Sequence, residues 1–589
     1  MLTSEQRGEL RKLQVLVVIM AILELISVAS IAPFMSAIGD MESLQGSGLL
    51  AQLYSFSGLK NPQQFVFWSG VLVIISISSA AIFSAITVWK LTIYGQKIGS
   101  EFSTRLFSHF MGRDWSFHLR NSSSHLTSTI ANDCSRITQG IIIPALNINA
   151  RIVLTCIMGC AILVIDPIAG ILGIVIFCSL YILLYVSIRR RLMIFGREIS
   201  ESNTKRMRLM NEGFGGIKAI ILSNRQQYFN RRFQSTSNTL SRAQGLSQSL
   251  ALLPRSLIEL LAFGSVILLI LYLLQAHESD LGIVLPILSI YALAGFKLLP
   301  ALQIIYNGVS TIRSNLSALD EVEKGLKELK YQSQELHVPD RRKKCIARGI
   351  KLENVSYTHI NAIEPTIKDL SISIPAGQTI GLVGPSGGGK STLVDILIGL
   401  AVPQKGNIFI DNQPIQKFGS ESWRANIGYV PQSIFLADTS IRENIAFGIE
   451  PDLIQDHRVD QVCKMANLSA LLESLPAGLN TTVGEHGEQI SGGQRQRIGI
   501  ARALYEDPGV LFFDEATSAL DGINEKVVME SVADLSGERT IVLVAHRINT
   551  LRNCNCIFII DGGRVIESGT FDELAKNSSF FRDMGGFNE

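Results

Sequence analysis

Charged residues are scarce in this chain, only 18% of 589, and its mean hydropathy is positive at +0.28. That shortage excludes an ordinary soluble globular protein, in which about a quarter of residues are Asp, Glu, Lys or Arg. Cysteines are few and scattered, eight in all at positions 134, 156, 160, 178, 345, 463, 554 and 556. They supply no disulfide framework and no zinc-ligand spacing, and Cys156 and Cys160, one helical turn apart without His or carboxylate neighbours, read as packing residues. Internal repeats and low-complexity tracts are absent. The net charge of +2 leaves no overall basic field, and no nucleic-acid partner is expected.

What takes the place of charge is apolar length. Six segments, at about 14–38, 64–90, 141–165, 167–188, 252–275 and 281–309, reach the about 20 apolar residues that cross a bilayer as a helix. Between the fourth and fifth, roughly a dozen Lys and Arg, beginning with Arg189, Arg190 and Arg191, face three acids, while the loop His277–Asp280 carries no Lys or Arg. The basic segment therefore faces the cytoplasm, and with it the N-terminus and everything after the last span. External loops fall at about 39–63, 166–167 and 276–280. The first span is too long, and lacks the small-residue cleavage site, for a removable signal peptide, so it reads as a permanent anchor. Beyond about residue 320 short strands alternate with helices. The expected organisation is a transmembrane domain over 1–318, a charged linker over 319–348 and an α/β domain over 349–589.

Within that last domain the apolar run Thr379–Val383 leads into Gly384, Pro385, Ser386, Gly387, Gly388, Gly389, Lys390 and Ser391, then into the helix start at Thr392. Strand, glycine-rich turn and helix form the context of a phosphate-binding loop. Backbone N–H groups converge on the phosphates of ATP at the positive end of a helix, Lys390 reaches the β and γ oxygens, and the Ser391 hydroxyl ligates Mg²⁺. Val510–Asp514 reads as a second buried strand, ending in a carboxylate suited to holding Mg²⁺ through water. Glu515 follows it, placed to polarise an attacking water. His546, just past the strand Thr540–Ala545, is placed to hold the γ-phosphate and that water in line. Lys390, Glu515 and His546 are the candidate catalytic set.

Ser491, Gly492, Gly493 and Gln494, about a hundred residues past the loop, make the resemblance specific: residues 346–589 resemble the nucleotide-binding domain of ATP-binding-cassette (ABC) transporters. The resemblance implies that Tyr357 stacks on adenine, that Gln432 touches Mg²⁺ and the transmembrane domain, and that Ser518–Asp521 crosses a dimer interface, with Asp521 at the nucleotide. It also implies that Ser491–Gln494 closes on the γ-phosphate of ATP held by a partner. Ile490 stands where Leu is usual in the family. His486 replaces a common Arg, which bears on the contact near Glu485. One phosphate loop and one such signature per chain imply a homodimer with two competent sites. Short coupling helices are implied near 115–126 and 213–225. The implied fold is a multi-domain membrane protein, an all-α six-helix transmembrane domain of the exporter type (type IV) followed by an α/β P-loop NTPase nucleotide-binding domain.

Charges inside spans are costly and mark transport paths. Lys90, Arg151, Arg255 and Lys297 lie in or at the ends of spans, with Glu24 and Glu259 as the acids. Lys297 is roughly 24 Å in from the external start of its span at 1.5 Å per residue, and the other three lie nearer the cytoplasm. Such an inner basic cavity suits an anionic headgroup such as a pyrophosphate; alternatively Arg255 pairs with Glu259 while Lys90 and Arg151 snorkel. The stretches Leu23–Phe34, His118–Ser123, Ile142–Pro144 and Pro254–Glu259 resemble the PglK-type lipid-linked oligosaccharide flippases, whose short external helix has a counterpart in Leu49–Phe56. This second resemblance implies an ATP-driven homodimeric flippase of a polyprenyl-pyrophosphate-linked glycan. It would work among the lipids of a bacterial inner (plasma) membrane, with termini and ATPase in the cytoplasm. The alternative is an exporter of lipid A-like lipids, hydrophobic drugs or peptides.

Overall fold

A computed structural model describes residues 3–39, 49–59, 61–165, 167–252, 256, 259–260, 264, 267, 281–327, 346–360, 362–515, 537–545 and 547–585. Two compact units divide the chain, one of residues 1–113 with 117–333 and one of residues 114–116 with 334–589.

The first unit is helical. Helix α1 (Ser4–Ala29) opens on a capping box in which the Thr3 hydroxyl accepts from the Gln6 N–H while the Gln6 side chain accepts from the Thr3 N–H, and α2 (Ile31–Gly39) continues it. The eight-residue α3 (Leu49–Phe56) precedes α4 (Pro62–Met111), which is 50 residues long. At 1.5 Å per residue α4 reaches about 75 Å, more than twice the about 30 Å of a bilayer's hydrocarbon. The expected span 64–90 is thus only the N-terminal part of a longer rod, because hydropathy falls after Lys90 while no proline or cap ends the hydrogen-bond ladder. Val73, Ala80, Thr87 and Tyr94, seven residues apart, are buried on one side; Phe67, Leu72, Ile75, Ile82 and Ile86 are exposed on the other. An outward apolar stripe of that kind fits a lipid-facing helix.

Two short helices, α5 (Trp115–Arg120) and α6 (Ser123–Ser128), follow where a coupling segment is expected. From α6 the helix runs on through a π-turn at Thr129–Asp133, α7 (Cys134–Ile137) and a second π-turn at Thr138–Ile142 into α8 (Ile143–Ile165). The third span therefore begins well before the expected 141. Pro144 has no N–H to return to Gly140, and the widened register just ahead of it carries the helix past that gap.

The rods α9 (Pro167–Gly215), α11 (Gln226–Leu252) and α12 (Leu281–Lys327) complete the unit, with the six-residue α10 (Ile217–Leu222) in the second expected coupling region. Helix α9 packs on α11 and α12, and α12 also packs on α8 and α2. Helices α9 and α12 meet at Gly196, where any Cβ would lie 2.1 Å from the Ser314 carbonyl oxygen. Among the described residues four helices, Ser4–Ile38, Pro62–Met111, Ser123–Val164 and Tyr291–Asp320, are long and apolar enough to cross a membrane. Residues 253–255 and 268–280 of the expected fifth span and following loop lie outside the described residues.

The second unit is α/β. A six-stranded sheet has the order β10-β9-β3-β8-β7-β6, parallel except for β10 (Arg564–Gly569). Its strands are β3 (Thr379–Val383), β6 (Ile427–Val430), β7 (Val510–Asp514), β8 (Thr540–Val544) and β9 (Cys556–Asp561). A smaller antiparallel sheet, β2-β1-β4-β5, joins β1 (Gly349–Tyr357), β2 (Ile367–Pro375), β4 (Lys405–Ile410) and β5 (Gln413–Pro414). Every residue of β3, β7 and β8 is buried, as expected of parallel strands covered on both faces.

Alternate strand residues enter two different cores. Leu382, Phe512 and Val542 join Leu393 and Ile396 of α13 (Lys390–Leu397) and the small sheet. Val383, Phe513 and Leu543 join Ile498 and Leu504 of α14 (Gly492–Tyr505). Because strand side chains alternate sides, α13 and α14 cover opposite faces of the main sheet.

Candidate functional site

The site gathers at the carboxyl ends of β3, β7 and β8, the edge where open α/β sheets bind ligands. The chain leaves β3 at Gly384 with φ of 154°, and a Cβ there would meet the Ile560 carbonyl oxygen at 1.9 Å. Only glycine fits so tight an exit. The loop then turns into α13, whose first residue is Lys390. The Lys390 ammonium donates to the carbonyls of Gly384 and Pro385 at 2.8 and 2.9 Å, so the loop's own backbone fixes its position. Burial pushes the Lys390 amine below its ordinary range, and the carboxylates of Glu515 and Asp514 pull it partly back. A buried ammonium near two carboxylates and helix-start N–H groups is an environment for a polyphosphate chelated to a cation.

Asp514, 7% exposed, ends β7, and the Tyr429 hydroxyl of neighbouring β6 donates to it at 3.5 Å. Burial and then the charges of Asp514 and Asp395 push the Tyr429 phenol well up, so it stays a donor. Glu515 takes a left-handed backbone with φ of 52°, its N–H donating to the Val544 carbonyl at 3.0 Å at the end of β8. Gln432 donates to the Glu515 carboxylate at 2.5 Å. The structure thus links Gln432 to the candidate base directly. Among the described residues no group of three His, Cys, Asp or Glu could cage a metal. The oxygen donors Ser391, Asp514 and Gln432 instead suit a hard ion such as Mg²⁺, which keeps several waters and takes other ligands from phosphates.

Tyr357 ends β1 inside the core at 7% exposure. Its ring edge meets His359 with centroids 5.1 Å apart, and His359 sits 3.1 Å by its Nε2 from the Thr392 hydroxyl on α13. The partly exposed ring beside the phosphate loop is therefore that of His359. Reading along β1 misses it: only the loop after the strand brings the second ring to α13. Behind the loop Asp395 has its carboxyl raised by burial and then by Asp514, with His359 opposing.

Ser491 caps α14 in a capping box, its hydroxyl accepting from the Gln494 N–H at 3.3 Å and its N–H donating to the Gln494 side chain at 2.8 Å. Gly492 is exposed and Gly493 half-buried at the first turn. This turn begins the helix on the opposite sheet face from α13. Ser518, Asp521 and His546 lie outside the described residues, as does Arg255.

Of the other membrane cations, Lys90 is exposed on α4 beside Trp89. Lys297 of α12 pairs with Glu24 of α1 at 2.5 Å, the Glu24 side chain being 5% exposed, and Arg151 of α8 interacts electrostatically with the same carboxylate. Three helices thus bring an acid to two of the four cations. Glu24 is the acid joined to Lys297.

Comparison with known proteins agrees with this architecture. Residues 367–518 match the family described as ABC transporter, and residues 13–296 match the ABC transporter transmembrane region. The heterocyst differentiation ATP-binding protein HepA of Nostoc is 30% identical over 80% of this chain and 76% of its own length. The ATP-dependent lipid A-core flippase of Cupriavidus metallidurans is 30% identical over 67% of this chain and 66% of its own. A bacterial Atm1-family ABC exporter solved with ATP bound superposes with a TM-score of 0.81 over 98% of both chains at 22% identity, which establishes the exporter-type fold. The ATPase domain makes the protein an ATP hydrolase coupled to transport across a membrane. With that transmembrane region and that ATPase domain in order on one polypeptide, the chain belongs to the ABC transporter family.

Proposed function

We propose that the protein is an ATP-driven flippase that moves a polyprenyl-pyrophosphate-linked glycan from the cytoplasmic to the outer leaflet of a bacterial inner membrane. The observation that carries this reading is α3, the short helix between the first two membrane helices, which ends in the almost fully exposed Phe56 (94%) and whose Tyr54 packs edge-on against Phe65 of α4. A short helix held at a span's outer end with an exposed aromatic suits contact with a lipid tail at the membrane face. The lipid A-core flippase likeness supports a rival cargo, a lipid A-like lipid.

Two copies are needed on this reading. The placement of the phosphate helix and the signature turn on opposite sheet faces supports it, since a chain's own turn is then poorly placed to close its own loop. In the pair, Lys390 and the loop N–H groups of one copy hold the ATP phosphates while Gly492 and Gly493 of the other offer N–H groups to the γ-phosphate. Ser391 and Asp514, with Gln432, would hold Mg²⁺, which supplies charge neutralisation on the phosphates. Glu515 takes the proton of the attacking water, Gln432 orients its carboxylate, and His546 and Asp521 complete the site. Because ATP is bound by both halves it favours the closed pair, and hydrolysis removes that preference, which resets the membrane helices.

The test is ATPase stimulation of reconstituted protein by polyprenyl-pyrophosphate glycans, lipid A and drug-like cations in parallel. Stimulation by the glycan lipids alone is the expected result. Stimulation confined to lipid A or to the cations would transfer the protein to the rival cargo.

A further inference from the structure

A cavity of about 630 Å³ opens inside the helical unit, walled by the turn at Thr129–Asp133 with α7, and by α9, α11 and α12. Its size falls within the roughly 300–1,000 Å³ of small-molecule sites. Its lining chemistry is unusual for a membrane unit. Six carboxamides face it, Asn132, Asn203, Gln244, Gln248, Asn307 and Asn315, along with serine and threonine hydroxyls. Among the described residues no Asp, Glu, Lys or His belongs to the lining, so none of Lys90, Arg151 and Lys297 does.

Two of the carboxamides are already occupied: Asn315 accepts from Arg136 at 3.0 Å and donates to the Thr311 carbonyl at 2.9 Å, and Asn132 donates to Ser128 at 3.3 Å. Arg136 is likewise consumed, donating to the Gly196 carbonyl and the Ser317 hydroxyl at 3.3 and 3.2 Å and pairing with Asp133 at 3.5 Å. It clamps α7, α9 and α12 together. The side chains of Asn203, Gln244, Gln248 and Asn307 form no hydrogen bond among the described residues. Gln244 and Gln248 are one turn apart on α11 and exposed to the opening, and Arg206 of α9 retains an Nε without a hydrogen-bond partner among the described residues.

A carboxamide presents donors and an acceptor side by side at no net charge, which matches vicinal hydroxyl groups and discriminates against bare ions and apolar molecules. We infer that this cavity binds the sugar portion of the cargo, a neutral, hydroxyl-rich chain, through Asn203, Gln244, Gln248 and Asn307, an inference that rests on the flippase reading above. Arg206 is the cation it offers to the linkage phosphates. Recognition of the glycan is thereby separated from the ion-paired Glu24 and Lys297.

The full-length protein in lipid nanodiscs tests this with the double variant Gln244→Leu/Gln248→Leu, compared with wild type. Two readouts are taken: ATPase stimulation by a polyprenyl-pyrophosphate oligosaccharide and by the glycan-free polyprenyl pyrophosphate, and direct binding of soluble maltoheptaose. The variant is expected to need at least tenfold more glycan-bearing lipid for half-stimulation, to respond unchanged to the glycan-free lipid, and to lose maltoheptaose binding. A glycan response equal to wild type, or an equal loss for both lipids, overturns the inference while leaving the flippase reading in place. Wild type that answers to neither lipid but binds maltoheptaose through these glutamines sinks the flippase reading and keeps the cavity. Absence of both stimulation and binding overturns both. If the double variant is not monodisperse, Asn307→Asp, which keeps the volume but replaces an amide with a charge, is read by the same criteria.

Discussion

In the nucleotide-binding unit the decisive charges sit on turns at the ends of buried strands, whereas in the helical unit they sit within helices and meet only where rods pack. Lys390 is placed by carbonyls five and six residues before it, and Glu515 by one strand-end bond to Val544. Glu24, Arg151 and Lys297 come from α1, α8 and α12, separated by more than a hundred residues, and no local motif announces them. The first kind of site is set by turns with one conformation that fits, as at Gly384. The second is set by how the helices that carry it pack.

The strongest way to break this contrast is at Glu515. Glu515→Gln should lower ATP turnover by at least about a hundredfold, while ATP-closed dimers still form on size exclusion; retained turnover would show that the base lies elsewhere. In the helical unit, Glu24→Gln leaves the charges of Lys297 and Arg151 without their shared acid. With Lys297 partly exposed the expected loss is about 2–3 kcal/mol rather than the full value for a buried pair, read as a lowered thermal midpoint. The double variant Glu24→Gln/Lys297→Met should regain part of it, Arg151 still lacking its acid, and no recovery at all would show that the pair is not what holds α1 to α12.

A smaller effect separates the two rings beside the phosphate loop. His359→Ala should raise the KM for ATP about tenfold, equivalent to about 1.4 kcal/mol of base stacking, while Tyr357→Phe leaves it unchanged; the reverse pattern would assign the adenine contact to Tyr357. The smallest concerns Asp411. Burial pushes its carboxyl up, but N–H donors from Ala347, Gly349 and Arg348, with the charge of Arg348, hold it below the usual carboxylate range. A carboxyl depressed in the folded state contributes stability that is present above its unfolded value near 4 and lost as pH falls through the folded one. Asp411→Asn should therefore cost about 1 kcal/mol at neutral pH, the turn being largely exposed. The difference from wild type should vanish in strong acid.

Much of the nucleotide site was legible because its parts are contiguous in the chain: a strand, a glycine turn and a lysine announce their own geometry, and a buried strand ending in Asp514-Glu515 announces the next. Tyr357 shows the limit. Its aromatic character is visible in sequence, but its inward direction follows from the pairing of β1 with β2, and His359 gains its place only from the approach of α13. Helix ends in the membrane unit were illegible for another reason. Hydropathy reports the bilayer, not the hydrogen-bond ladder, so α4 and the helix ahead of Pro144 run far beyond their apolar windows.

Order along the chain, the phosphate loop, the carboxylates at the end of β7 and the apolar length of the helices were determined by sequence alone, since each rests on interactions within a few residues. Tertiary packing decided which acid neutralises Lys297, which face of the sheet carries Ser491, and where amides from four helical segments enclose one cavity. Those depend on contacts between residues far apart in the chain, whose free energies exist only once the helices and strands have met.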